Sequence, residues 1–130
     1  MIWDSFSKRP YATLRSTVQG KGDEVFLQQL SDIVSVRIPD MDFTVDNLAE
    51  QMHLSRSVLF ERTKEACGMT PNNFIKEMRL RKAAGLLAEQ KYKVNEICYM
   101  VGFNTPSYFA KCFLKQFGVL PKDFAGGTPE

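Results

Sequence analysis

The chain has 130 residues, 44% of them hydrophobic, and a formal net charge of +2 at pH 7, which predicts one domain with a modest core. No apolar run approaches the roughly 20 residues that cross a bilayer, and the polar residues after Met1 indicate no signal peptide. The three cysteines lack CxxC spacing, so we interpret them as buried thiols in a reducing compartment. The single histidine has no nucleophile paired with it, so we expect no metal site, no cofactor and no enzyme activity.

The charges are divided unevenly along the chain. Residues 55–125 contain twelve Lys and Arg against six Asp and Glu, whereas residues 1–54 contain five against eight. A basic C-terminal half favours a polyanionic partner. An unevenly solvated surface would give the same counts, and charge alone does not decide between the two.

The N-terminal segment differs from the rest of the chain. Residues 1–22 contain Pro10, Gly20 and Gly22 and show no sustained periodicity, so we interpret them as a linker or N-terminal arm. From Asp23 helical spacing predicts a first helix that ends before Pro39. Its predicted inward face comprises Val25, Phe26, Gln29, Leu30, Ile33, Val34 and Val36.

Six further helices follow, and capping residues or prolines mark most of their starts. The first of them begins at the N-cap Thr44, the second extends from the N-cap Ser55 to about Ala66, and the third extends from Pro71 to about Glu89. The last three cover about 94–101, 106–117 and a short stretch from Pro121. The longest should bury Phe74, Ile75, Met78, Leu80, Ala83, Leu86 and Leu87. No segment alternates as a strand does, so the fold class is all-α.

An internal repeat relates two helix pairs. "TVDNLAEQMHLS" from Thr44 aligns with "KVNEICYMVGFN" from Lys93, and the second copy is one residue longer after its turn. Ala49 and Cys98 supply the small residue that two crossing helices need. Gly102 suits the left-handed backbone of the turn, where the first copy has His53. Each copy therefore predicts a helix-turn-helix unit.

The helix between the copies has a length that suits duplex DNA. From Pro71 to Glu89 it spans roughly 30 Å, and successive major-groove faces of B-DNA lie about 34 Å apart. A rigid helix of this length can place two recognition helices in adjacent groove segments. A compact helical bundle around a long central helix would have the same length.

Three motifs stand out in the helical part of the chain: "NLAEQMHLSRSVL", "TPNNFIKEMRLRKAAGLL" and "NEICYMVGFNTPSYFAKCFLKQFGVLPKDF". In these motifs the chain resembles the AraC/XylS family of bacterial transcription activators. The resemblance implies a DNA-binding domain over 23–125, with a first helix-turn-helix at about 44–67, a linker helix at about 71–89, a second helix-turn-helix at about 93–117, and a tail over 126–130. Departures from the family pattern are His53 at the turn, Thr63 at a usually bulky apolar position, Glu61 at a basic or polar one, and "PKDFA" without the usual arginine.

The motif "SRSVLFERTK" of the first unit and the motif "YMVGFNTPSYFAKCF" of the second are together similar to the C-terminal output module of hybrid two-component regulators of gut Bacteroidetes. In that group a membrane sensor, a kinase and a receiver precede the DNA-binding module. The resemblance therefore implies upstream sensor and receiver domains as partners. It also implies a cytoplasmic module without direct membrane contact of its own, in a parent protein anchored in the inner membrane.

In the first unit the family alignment places Leu59 in the core and directs Arg56, Ser57, Phe60 and Glu61 toward the groove. Arg56 can reach a phosphate or a guanine edge. Glu61 can accept from cytosine N4 or pair within the protein, and Phe60 can touch a thymine methyl group or pack.

In the second unit three aromatic residues recur at intervals of four and indicate a core stripe: Phe109, Phe113 and Phe117. The outward set is Thr105, Pro106, Ser107, Ala110 and Lys111. Of these, Ser107 and Lys111 are the preferred DNA contacts. Tyr108 is expected to seal the turn, and Asn104 or Thr105 to cap the helix.

Four more residues are expected to meet phosphates: Thr44, Lys64, Lys93 and Lys115. Arg79 matches a recurrent family arginine among core residues. We expect it to form an internal bridge, with Glu96 as a candidate partner.

The function expected from these features is sequence-specific binding of double-stranded DNA by a transcription regulator, an activator, with two recognition helices in adjacent major-groove segments. The alternative is a helical protein-interaction module that contacts RNA polymerase or an upstream receiver. The acidic first helix and the apolar residues within 1–14 motivate that alternative.

Overall fold

A computed structural model of the protein describes residues 21–124. Within that stretch the chain forms seven α-helices and no strand, which confirms the all-α prediction. They are α1 Lys21–Arg37, α2 Val45–Gln51, α3 Arg56–Cys67, α4 Pro71–Glu89, α5 Val94–Met100, α6 Pro106–Phe117 and α7 Pro121–Phe124. Residues 1–20 of the predicted arm, Ala125 and the predicted tail lie outside the described residues.

Helix α1 begins two residues before the predicted Asp23 and buries Phe26, Leu27, Leu30 and Val34. The predicted inward positions of Val25 and Val36 are wrong, because these side chains are 58% and 79% exposed. At 100° per residue they lie on the side of the helix opposite the buried stripe. Gln29 is exposed for the same reason, and Ile33 is partly buried at the edge of the stripe.

Side-chain N-caps hold the starts of four helices. Thr44 Oγ1 accepts the Asn47 N–H at 3.1 Å, while Asn47 Oδ1 accepts the Thr44 N–H at 2.9 Å, which completes a capping box. Ser55 Oγ accepts the Val58 N–H at 3.2 Å and Thr70 Oγ1 accepts the Asn73 N–H at 3.2 Å, which caps α3 and α4. At α6 it is Thr105 rather than Asn104 that accepts, from the Tyr108 N–H at 3.3 Å.

The two helix pairs repeat each other closely. Helix α5 lies 49 residues after α2, and α6 lies 50 residues after α3, so the second turn contains the extra residue that the sequence predicted. The Leu54 and Phe103 N–H groups donate to the carbonyls of Ala49 and Cys98, both at 3.0 Å. His53 and Gly102 have φ of +59° and +89°, as expected for the left-handed turn position.

Helix α4 lies between the two units and contributes eight of the 27 buried hydrophobic residues of the core within residues 21–124. It contacts α1 and α3 on one side and α5, α6 and α7 on the other. All seven of its predicted core residues are buried. One continuous hydrophobic cluster therefore joins both helix-turn-helix units.

Two kinds of small polar side chain lie inside this core. Thr63 is fully buried, and its Oγ1 donates to the Leu59 carbonyl at 2.7 Å, which explains how a hydroxyl fits a usually apolar position. The cysteines Cys67, Cys98 and Cys112 are buried free thiols, as predicted. Burial raises the pKa of the Cys67 and Cys98 thiols, so both stay protonated at neutral pH.

Candidate nucleic-acid interface

The outer face of α6 is a stripe of three exposed side chains. Ser107, Lys111 and Leu114 follow each other at intervals of four and three residues, and all three are exposed. Pro106 and Ala110 are half-buried at the edge of this stripe, while Lys115 is exposed beside it. A polar, a cationic and an apolar side chain thus lie side by side on one outward surface.

Leu114 is the candidate contact that the sequence prediction omitted. It follows Phe113 directly and reads as core by composition, yet 44% of it is exposed. Its helical spacing from Ser107 and Lys111 was the signal that could have found it. An exposed leucine on this face offers an apolar surface suited to a thymine methyl group.

The inner face of α6 is aromatic. Phe109 and Phe113 are fully buried and Phe117 is half-buried, which confirms the predicted core stripe. Phe103 from the turn contacts Phe109 with 5.2 Å between ring centroids, and Phe113 contacts Phe124 of α7 at 5.4 Å. These contacts fix the rotation of α6 about its axis, so its outer stripe has a defined direction.

Tyr108 lies at the side of the turn, as predicted. Its ring is 5.9 Å from that of Phe103, and the Lys76 Nζ lies 5.9 Å from its centroid, while half of the side chain is exposed. Tyr108 therefore covers the turn and links α6 to α4.

The corresponding face of α3 carries a different set of residues. Ser57, Glu61 and Lys64 are exposed at the equivalent positions, and Phe60 is 47% exposed beside them. Leu59 is fully buried, as predicted. The structure therefore turns all four predicted contacts of the first recognition helix, including Arg56, toward solvent.

Arg56 at the first turn of α3 has a partner within the protein. Its Nη1 donates to Asp46 Oδ1 of α2 at 3.1 Å, and both side chains are about two-thirds exposed (67% and 66%). An exposed ion pair of this kind contributes little to stability. Arg56 thus stays available at the surface, with an acidic neighbour beside it.

The predicted phosphate contacts lie near helix ends. Thr44 caps α2 and Lys93 precedes α5, while Lys64 and Lys115 lie in the last turns of α3 and α6; all four side chains are exposed. Glu96 Oε1 accepts the Lys93 N–H at 2.8 Å. Glu96 therefore holds the start of α5.

Arg79 is an internal bridge, but the predicted partner Glu96 is wrong. Its Nη1 donates to the carbonyls of Ile38 and Val101, the latter at 2.9 Å, and its Nη2 donates to the Asp40 carbonyl at 3.0 Å. The reason is position along α5. Glu96 is at the N-terminal end of this helix, whereas Arg79 lies at its C-terminal end.

The two units differ in charge. Residues 44–67 contain three basic and four acidic side chains, whereas residues 93–117 contain three basic and one acidic. One basic residue of the first unit, Arg62, lies with its guanidinium 4.3 Å from the Phe26 ring centroid and packs against α1. The second unit is therefore the more attractive of the two for an anion.

Residues 21–124 contain no cluster of His, Cys, Asp and Glu that could hold a metal ion. No helix in that part of the chain combines the length and the apolar composition that a membrane crossing needs.

Comparison with known proteins places this geometry in a family. The profile of a family described as a helix-turn-helix domain matches residues 48–126. Histidine kinase P4 of Formosa agariphila is 35% identical over 119 residues, which make up 92% of this chain and 9% of that protein. The transcriptional activator RhaS of Escherichia coli is 34% identical over 82 residues, which make up 63% of this chain and 30% of that protein. The chain thus spans less than a third of either relative.

A solved structure agrees with these sequence matches. The C-terminal domain of the two-component response regulator yesN from Fusobacterium nucleatum matches with a TM-score of 0.70 and 28% identity, over 75% of this chain and 95% of that domain. These matches confirm the resemblance that the motifs carry. The chain belongs to the helix-turn-helix family of AraC-type DNA-binding domains, which serve transcription regulators and are not enzymes.

Proposed function

We propose that this domain binds double-stranded DNA sequence-specifically by placing α3 and α6 in adjacent segments of the major groove. The observation that carries the proposal is the repeat itself. Two helix-turn-helix units with matching caps and turns are attached to one continuous helix, α4, of 19 residues. Such a helix spans roughly 30 Å, close to the ~34 Å between successive major-groove faces.

The outward residues of α6 supply complementary kinds of contact. Lys111 offers a cation for a phosphate or a guanine edge, Ser107 a hydroxyl, and Leu114 an apolar surface for a thymine methyl group. Pro106 and Ala110 at the edge of the stripe allow close approach of the helix to the groove, and Thr105 at its start lies near the phosphates.

The outward residues of α3 favour a different base pattern. Arg56 is suited to a guanine edge or a phosphate, Glu61 to cytosine N4, and Phe60 to a thymine methyl group. Ser57 adds a hydroxyl. Phosphates on either side would meet Thr44, Lys64, Lys93 and Lys115.

The regulatory setting is inferred from the relatives. RhaS is named a transcriptional activator, and the Formosa protein is named a histidine kinase of which this chain would cover 9%. We infer that the domain is the cytoplasmic output module of a larger activator, with sensor and receiver domains upstream and RNA polymerase as a further partner.

Salt dependence of binding tests the DNA proposal. A fluorescent duplex that carries a site selected by the domain from random duplex DNA is titrated with the domain between 50 and 200 mM salt. For four to six phosphate contacts we expect affinity to fall roughly 10²- to 10³-fold over this range, because bound counterions are released. A salt-independent affinity would contradict the proposal.

A second candidate function is protein interaction through α1. Asp23, Glu24 and Asp32 lie on this helix together with the exposed Val25 and Val36, which form no part of the core. Binding of purified RNA polymerase or of a receiver domain, measured without DNA, distinguishes this candidate. Loss of that binding on Val36→Ser, with DNA affinity unchanged, would assign α1 to a protein partner.

A further inference from the structure

Each recognition helix would read one short DNA sequence, here called a box. We propose that Arg79 fixes the relative position of the two recognition helices and thereby sets the spacing between the two boxes that the domain accepts. This inference rests on the proposed function, since it assumes that both units bind one duplex. It begins from a geometric fact: one buried guanidinium donates to carbonyls of the α1–α2 connection, which leads directly into the first unit, and to the Val101 carbonyl of the second unit.

The three carbonyls belong to separate segments. Those of Ile38 and Asp40 lie between α1 and α2, beside the first unit, and that of Val101 is the C-cap of α5 in the second unit. Carbonyls at helix C-termini lack partners within the helix and carry partial negative charge, so a cation placed there is stabilised. Arg79 satisfies such groups at the ends of two helices at once.

The guanidinium is well suited to this task. It is planar, keeps its charge at neutral pH and offers five donors in fixed directions, so it can hold several acceptors in one geometry. Arg79 is only 6% exposed. A lysine could not make the same set of bonds, because its ammonium group lacks the rigid fork.

Gly102 leaves the space that this bridge occupies. A Cβ at Gly102 would overlap Arg79 Nη1 and the Ile38 carbonyl oxygen. The equivalent turn residue of the first unit, His53, is exposed and carries a full side chain. The bridge is therefore a specific property of the second turn and of its contact with the α1–α2 connection.

The bridge has a consequence for DNA. Moving one box by one base pair shifts it by about 3.4 Å and rotates it by about 35° around the duplex. A domain whose units are held at a fixed angle cannot follow such a shift without losing contacts. Without the Arg79 bonds, the segment between α1 and α2 can move relative to the α5–α6 turn, and more spacings become acceptable.

The test uses duplexes that carry both selected boxes at the preferred spacing or with one base pair added or removed. For the wild-type domain we expect affinity to fall at least tenfold on either change. For Arg79→Lys the loss should shrink to threefold or less, with affinity for a duplex carrying one box unchanged. Lys82→Ala, an exposed basic residue on the same helix, should behave as wild type.

Several outcomes would overturn the inference. One is a wild-type domain that binds all three spacings equally tightly. Another is an Arg79→Lys domain that loses as much affinity as the wild type when the spacing is changed. A wild-type domain that binds no DNA would instead refute the proposed function.

A measurement without DNA tests the bridge separately. Spin labels on cysteines introduced by Lys64→Cys and Lys115→Cys report the distance between α3 and α6, because both sites are exposed and the native cysteines are buried. We expect one narrow distance distribution in the otherwise wild-type domain and a broader one with Arg79→Lys. A broad distribution before the Arg79 change, or equal widths in the two proteins, would overturn the inference.

Discussion

At the scale of single residues, two glycines share the same left-handed backbone but differ in how much their replacement should destabilise the fold. Gly102 and Gly118 both have φ near +80° to +90°, a region that residues with a Cβ avoid. Around Gly118 there is open space, whereas at Gly102 a Cβ would meet Arg79 and the Ile38 carbonyl. A substitution at Gly102 therefore combines backbone strain with a steric clash.

We expect Gly118→Ala to lower the free energy of unfolding by about 1 kcal/mol, the usual cost of the left-handed region for alanine. Gly102→Ala should cost about 3 kcal/mol or more, because overpacking a filled site adds to this strain. Urea unfolding followed by circular dichroism measures both. Equal losses in the two variants would show that the Arg79 contact adds nothing.

Lys111 lies at the centre of the outward stripe of α6, where a cation would face the duplex. Lys111→Ala should weaken binding of a selected site by about tenfold and reduce the slope of log K against log[salt] by about one if the contact is a phosphate. Lys82→Ala on α4 is the matched control and should leave affinity unchanged. Unchanged affinity in Lys111→Ala would contradict the placement of α6 in the major groove.

At the scale of elements, the connection between α1 and α2 is held by its own side chains as well as by Arg79. Asp40 accepts the Asp42 N–H and the Arg37 guanidinium, both at 2.9 Å. The bond from the Asp42 N–H, followed by that from Arg37, lowers the pKa of Asp40 below its ordinary value of 3.8. Folding therefore favours the ionised form of this carboxyl group.

The sign of the pH effect follows from this lowered pKa. The stability that ionised Asp40 contributes is present above pH 3.8 and is lost as the pH falls through the lower value in the folded state. Asp40→Asn should thus be less stable than wild type at pH 7, and the difference should shrink below pH 4. Urea unfolding at pH 7, 5 and 3 measures it; a difference that grows toward low pH would contradict this account.

The elements also show which parts of the fold the sequence could predict. Local signals were sufficient for the caps at Thr44 and Ser55 and for the turn at Gly102, because these depend on bonds within a few residues. They failed for Val36, whose helical angle places it in solvent, and for the partner of Arg79, which comes from 41 residues away. Long-range partners depend on how the helices pack, and one sequence does not reveal that.

The candidate interface was predictable to a similar extent. Ser107 and Lys111 were assigned from helical spacing and the family motif, and the structure exposes both. Leu114 was missed because an apolar residue after Phe113 resembles core. The burial pattern of the whole helix was needed to place it outside.

At the scale of the whole molecule, the two units are alike in backbone and unlike in charge. The second carries three basic residues to one acidic, and the first three to four. Phosphate attraction should therefore be stronger at the second unit, and the first should contribute base preference more than affinity. If Arg79 and α4 hold both units in one arrangement, as we propose, each box would be read at a fixed distance from the other.

The most direct test of this account is selection of bound sequences from random duplex DNA, followed by sequencing. We expect two short conserved boxes about one helical turn apart, because α3 and α6 would reach successive major-groove faces. The box read by α6 should be the more strongly selected of the two. A single box, two boxes at variable spacing, or no enrichment would contradict binding of one duplex by two fixed recognition helices.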